Sequence, residues 1–254
     1  MALLDTINEK KRVLDDARPL PPSVVRNLAD WFERELTCAC NVVEAGGLTA
    51  DEVHTVLERG AVLRHRSSES QRLLLNHRSA LELMARLSYQ PGGAVTERTI
   101  VAFHGVLYQG IDGEAGKYRE GALKDGSGGP SPDPAKLRVS MSALSGWLRR
   151  TDPSPDAAFE AHHRLMSVRP FYEGNAATAL LLCNLILNRA GFPPVAVGED
   201  DRDLYRDLVE RAWSVGDKTP FRDLMLRLLD RSLDVCLAAA TKAPASLTDA
   251  DEQA

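Results

Sequence analysis

Little in this sequence marks a secreted, membrane-spanning or nucleic-acid-binding protein. Its 254 residues hold only four cysteines, without even spacing and without a signal-peptide pattern ahead of them. That excludes a disulfide framework and points to a reducing compartment, so a cytoplasmic location is expected. Cys38 and Cys40 stand close together, but no second Cys or His cluster completes a tetrahedral site, and no metal centre is expected there. The net charge of −5 lacks the basic footprint that a nucleic-acid partner requires. No apolar run reaches the roughly 20 residues of a transmembrane helix, so no membrane span is expected.

What is present is apolar residues at helical spacing. Hydrophobic residues make up 44% of the chain, enough for a proper core in one large domain or two small ones. Helices are expected over Asp5 to Ala17 and then from Ser23, as N-cap, along the stripe Val24, Val25, Leu28, Trp31 and Phe32. A helix stops at Gly46-Gly47, and Thr49 with Glu52 forms a capping box for the next one. Ser67 to Leu87, a stretch from Thr96, Leu137 to Arg150, Asp156 to Val168, a stretch opening at Arg202, and Asp217 to Asp234 complete the helical set. His77 reads as structural or surface. His162 and His163 are adjacent, hence about 100° apart on a helix, which excludes joint ligation of one metal. Between Gly110 and Asp133 the helical pattern stops, and Lys124 to Pro134 is rich in Gly and Pro, as a mobile loop would be.

The chain is organised around Arg169 to Gly191. Residues 169–175, Arg-Pro-Phe-Tyr-Glu-Gly-Asn, are turn chemistry. The residues that follow are strong helix formers with almost no polar face, so that helix is expected to be buried on nearly every side. Gly191, Phe192, Pro193 and Pro194 end it. A Gly-containing turn feeding the N-terminus of a core helix is a potential anion site, because free N–H groups and the helix dipole converge there.

That junction resembles the signature of Fic (Fido-fold) proteins, His-Pro-Phe-x-Asp/Glu-Gly-Asn-Gly/Lys-Arg-x-x-Arg. Pro170, Phe171, Glu173, Gly174 and Asn175 match it in register. Arg169 stands where the family has its catalytic His, and Ala176, Ala177 and Leu180 stand where it has Gly or Lys and two arginines. Cys40 to Ala45 resembles the N-terminal inhibitory motif of one Fic class, with Glu44 as its glutamate and Leu180 where the family's partner arginine would be. With that arginine gone, Glu44 must find another donor, stay wet or protonate. Gly116 to Arg119 resembles the start of the family's β-hairpin flap, which holds a target segment. Arg202-x-x-Tyr205 resembles a segment near the nucleotide base, and His162 a histidine that packs or hydrogen-bonds before the signature.

The resemblance implies an all-α fold around a buried central helix, with one small β-hairpin flap. It implies an N-terminal helical region over 1–90 with the inhibitory-like segment and a Fic-like core over 91–240, while residues 241–254, small and polar, are expected to form a disordered tail. In the family the His accepts a proton from a target hydroxyl, the acidic residue holds Mg²⁺, the Gly-Asn turn holds phosphate, and the arginines hold the outer phosphates. A guanidinium cannot act as that base. Loss of the family's AMP-transfer chemistry is therefore expected. In its place two readings stand: a transferase- or lyase-like enzyme acting on a small phosphate- or carboxylate-bearing ligand, or a catalytically silent scaffold that binds a partner protein at the flap. For the first, Arg169 and Glu173 are the catalytic candidates, with Mg²⁺ through Glu173. Gly174, Asn175, Tyr118, Arg119, Arg202 and Tyr205 are the ligand-binding candidates, and Glu44 is the inhibitory-like one.

Overall fold

The computed structural model describes residues 3–241 apart from 45, 61, 91, 92, 112 and 124–132. Ten α-helices occur among them: α1 (Leu3–Asp16), α2 (Pro22–Val43), α3 (Ala50–Arg59), α4 (Ser68–Ser88), α5 (Glu97–Leu107), α6 (Leu137–Leu148), α7 (Pro155–Val168), α8 (Asn175–Arg189), α9 (Arg202–Ser214) and α10 (Thr219–Thr241). The chain is helical as expected, and α8 is its axis. Every residue of α8 from Ala177 to Leu187 is buried. Helix α7 runs alongside it, and α4, α5 and α2 pack on it from other directions. Each fully buried leucine on α8 is worth about 1.5–3 kcal/mol of apolar burial, so the helix carries much of the core's stability. It ends in a Schellman motif: Phe192 N–H donates to the Leu187 carbonyl at 2.9 Å and Gly191 N–H to Asn188 at 3.0 Å, with Gly191 at φ +77°.

Some boundaries differ from the expectation. Helix α2 begins at Pro22, with Pro21 as its N-cap and no side-chain cap, because a proline at the first helical position needs no N–H partner. Ser23 therefore lies inside the helix. Helix α2 ends at Val43, ahead of the Gly46-Gly47 pair, and α10 runs past Asp234. Among the described residues there is no β-strand, so the expected hairpin flap is corrected. The reason is visible at its start: Arg119 N–H donates to the Pro170 carbonyl at 2.9 Å, and Glu120 N–H to the Tyr172 hydroxyl at 3.1 Å. That segment spends its hydrogen bonds on the turn before α8 and not on a strand partner. The Gly/Pro-rich stretch 124–132 and the tail beyond 241 lie outside the described residues. No helix among the described residues is long and apolar enough to cross a membrane.

Candidate functional site

Helix α7 stops because Arg169 adopts the left-handed conformation, φ +42° and ψ +67°, the one non-glycine residue with positive φ among those described. Pro170 then directs the chain into the turn that starts α8. Gly174 caps that helix at φ +72°, and a Cβ there would lie 2.2 Å from the Tyr108 ring, so no other residue fits. Asn175 closes the turn on itself. Its Oδ1 accepts from Phe171 N–H at 3.1 Å and its Nδ2 donates to the Phe171 carbonyl at 2.9 Å. The amide of Asn175 is thus used within the turn.

Two further side chains brace this turn. His104 is sandwiched between Phe171, with ring centroids 3.7 Å apart, and Tyr108, at 4.8 Å. Gly116 N–H donates to its Nδ1 at 2.9 Å, so the ring proton resides on Nε2, which donates to the Glu173 carbonyl at 3.2 Å. Arg119, buried, donates from Nε to the Arg169 carbonyl and from Nη1 to the Gly121 carbonyl, both at 2.8 Å. The Tyr118 hydroxyl donates to Glu97 at 2.5 Å, and burial is the main cause of its raised pKa.

Onto the first turn of α8 comes the end of α2. The carboxylate of Glu44 accepts from Ala177 N–H at 2.7 Å through Oε1 and from Gly174 N–H at 3.2 Å through Oε2. Two donors that the sequence left open for Glu44 are therefore backbone N–H groups. A helix N-terminus offers free N–H groups and a favourable field, worth about 0.3–1 kcal/mol to a charge at an exposed site and up to ~2 where partly buried. Leu180 is buried in the core, and Ala177 contributes its N–H to this contact.

In front of the carboxylate opens a cavity of about 700 Å³ between α2, the 169–175 turn and α9. Glu44, Arg169, Glu173, Gly174, Asn175, Arg202 and Tyr205 all line it, while Tyr118 and Arg119 are not among its walls. The Arg169 guanidinium lies 5.3 Å from the Trp213 ring centroid, a cation–π distance. Tyr205 is buried and pairs its hydroxyl with His162 Nε2 at 2.8 Å, while His162 Nδ1 has no partner among the described residues. An unpaired buried lone pair costs less than an unpaired N–H, so Nε2 carries the proton and donates to the tyrosine oxygen. Burial, and next the charge of Glu44, push the Tyr205 hydroxyl well up, so it stays a phenol. Glu173 is exposed. Among the described residues no group of three or more His, Cys, Asp or Glu side chains could hold a metal alone.

Reading by motif missed Arg206 and Trp213, which also line this cavity. Their signal is the spacing on α9: Arg202, Tyr205, Arg206, Val209 and Trp213 fall on one helical face. The braces His104 and Tyr108 carried no such signal, because their partners lie far away in sequence.

Residues 94–187, which include this turn and the central helix, match the Fic/DOC family. The fold is likewise that of solved Fic-domain proteins. A Fic-domain signaling protein from Bacteroides thetaiotaomicron superposes with a TM-score of 0.80 at 21% identity, covering 94% of this chain and 98% of that one. Fic-1 from C. elegans gives 0.80 at 23% identity, covering 93% and 71%. A Fic domain solved covalently tethered to Cdc42 is more distant, with a TM-score of 0.51 at 12% identity, covering 89% and 70%.

Curated relatives go further than fold. The protein adenylyltransferase Fic of Nematostella vectensis is 29% identical over 99% of this chain and 61% of its own length. That of Culex quinquefasciatus is 27% identical over 94% and 48%. The chain thus spans between about half and two thirds of the length of these relatives. Their names overturn the expectation that AMP-transfer chemistry is lost, and with it both the small-anion enzyme and the silent scaffold. Geometry supplies a physical reason. Loss was expected from the missing His and the missing signature arginines; for the arginines this cavity wall offers other cations, Arg169, Arg202 and Arg206, two of them from α9.

Proposed function

We propose that this chain transfers AMP from ATP to a hydroxyl of a partner protein, and that Glu44 closes the site in the state seen here. The observation that carries this reading is the seat of the Glu44 carboxylate. Two N–H groups of the α8 N-terminus already hold an anion there, as a phosphate would be held. That the relatives are named adenylyltransferases supports the phosphates of ATP as the ligand that would take this seat. A target oxygen would bond to the α-phosphorus as the bond to the bridging oxygen breaks, with pyrophosphate leaving and the hydroxyl proton passing to water.

Arg169, Arg202 and Arg206 would offset the phosphate charge, and Gly174 lets the backbone approach it. A single exposed carboxylate, Glu173, suits Mg²⁺, which takes one or two carboxylates and completes its shell with phosphates and water. When bound, that ion would neutralise charge on the leaving pyrophosphate. The partner's hydroxyl-bearing segment would lie along residues 117–123, the stretch latched onto the 169–172 turn. On this reading residues 1–90 supply the block, and 91–240 form the catalytic core.

ATP labelled at the α-phosphate, with Mg²⁺ and a cell lysate, tests the proposal. Glu44→Gly should label itself or a lysate protein at least about tenfold faster than wild type, as expected when a charge-assisted contact of about 1.5–3 kcal/mol no longer competes with phosphate. Absence of label with both proteins would sink the assignment.

A further inference from the structure

We infer that Asn41 is the positioning residue that sets how firmly Glu44 blocks the site, which deepens the reading of Glu44 just given and rests on it. Glu44 is the C-cap of α2, with φ −92° and ψ +8°, so its side chain is aimed by whatever holds the last turn of that helix. That hold is a clasp. Asn41 Nδ2 donates to the Leu48 carbonyl at 2.7 Å, and Leu48 N–H donates back to Asn41 Oδ1 at 3.3 Å. Gly46 N–H adds a bond to the Asn41 carbonyl at 2.9 Å. Glu44 therefore sits inside a ring closed between residues 41 and 48.

Both ends of the ring are fixed. Asn41 is buried on α2, and Leu48 is buried in a small satellite core with Val53, Val56 and Leu74. Thr49, next in the chain, caps α3 through Glu52, which Arg66 holds at 2.8 Å. The ring itself excludes side chains: a Cβ on Gly46 would lie 2.4 Å from Asn41 Oδ1, and Gly47 is at φ +71°. On its far side the clasp borders a second cavity of about 780 Å³, lined also by Trp31, Cys38 and Leu228, so close packing does not hold it from there. The aim of Glu44 then depends on the amide of Asn41. Without it the end of α2 frays, the blocking conformer is less populated, and ATP competes better for the α8 N-terminus.

Calorimetry of ATP with Mg²⁺ against four full-length proteins decides this: wild type, Asn41→Ala, Glu44→Gly and the double variant. Asn41→Ala should bind ATP about three- to tenfold more tightly than wild type, the scale of one or two net hydrogen bonds. In the Glu44→Gly background the same change should have no effect, since no block remains to aim. Gly46→Ala, which opens the clasp by crowding the Asn41 amide while leaving that residue in place, should reproduce the gain, and it keeps the test alive if Asn41→Ala does not fold. Tighter binding by Glu44→Gly with no change in Asn41→Ala and Gly46→Ala overturns the clasp alone. An equal effect of Asn41→Ala in both backgrounds reduces Asn41 to a general structural residue and overturns it too. Equal affinity of Glu44→Gly and wild type removes the block itself, and the clasp falls with it.

Discussion

Arg169 combines two roles that a histidine would divide differently. Its backbone ends α7 in the left-handed region, and its guanidinium lies against Trp213 in the wall of the cavity. The positive charge suits phosphate, but a guanidinium stays protonated and cannot take a proton from an attacking hydroxyl. A general base in that position contributes ~10²–10⁴ in rate. Histidine is also among the side chains that tolerate positive φ. In the unblocked Glu44→Gly background, Arg169→His should therefore raise the labelling rate at saturating ATP by ~10²-fold or more, while ATP binds more weakly. Initial rates across ATP concentrations separate the two effects. An unchanged or lower rate at saturation means that the proton leaves by a route independent of this position.

Among the elements, one device recurs. Asn175 grips both backbone groups of Phe171, Asn41 those of Leu48, and Asn184 those of Val195, where Nδ2 donates at 3.0 Å and Oδ1 accepts at 2.8 Å. Each asparagine satisfies a stretch of chain that has no helix to do so, and each is buried. On α8 this resolves a contradiction of pattern, since an amide in the middle of an apolar helix looks misplaced until Val195 is found opposite it. Asn184→Leu keeps the volume and removes the pairing, leaving a buried N–H and carbonyl unsatisfied. A loss of about 2–6 kcal/mol is expected, at ~1–3 kcal/mol for each of the two orphaned groups. Urea denaturation measures it, and a loss under about 1 kcal/mol would show that water replaces the amide.

For the whole molecule, two buried histidines set the acid limit. The Thr37 hydroxyl donates to the Glu33 carbonyl at 2.8 Å, so the 3.1 Å contact with His77 is a donation from Nδ1–H, and the ring is neutral. Burial lowers His77 to about 3 and, with a smaller push from His163, lowers His162 to about 3. Unfolded, both would titrate near 6.5. Between those values the unfolded chain binds more protons than the native one, so stability rises with pH and falls as acid is added. Two protons give a slope of up to ~2.7 kcal/mol per pH unit. Two units of acid below pH ~6.5 then approach the whole stability of an ordinary domain, roughly 5–15 kcal/mol. Urea midpoints from pH 7 to 4.5 should fall steeply, with about half the slope in His77→Gln. A flat profile from pH 7 to 5 would contradict the neutral, buried state of these rings.

Features that depend on neighbours along the chain were legible from local sequence. Helix-period apolar residues, the Thr49–Glu52 capping box, the Gly191 stop and the Pro170 to Asn175 turn follow from local propensity and short-range hydrogen bonds, and all appear where expected. They were enough to place α8 at the centre, while the resemblance to the Fic motifs brought Glu44, Arg169 and Glu173 forward as site residues. Tertiary structure decided the rest, because the interactions concerned join residues far apart in the chain. No local rule tells Glu44 that two N–H groups on α8 will hold its carboxylate, or tells Arg119 to bury itself under the carbonyl of Arg169. Nor does any local rule place the face of α9 in the cavity, so that its arginines line the same wall as Arg169. Whether the signature's missing cations mattered depended on where that helix docked.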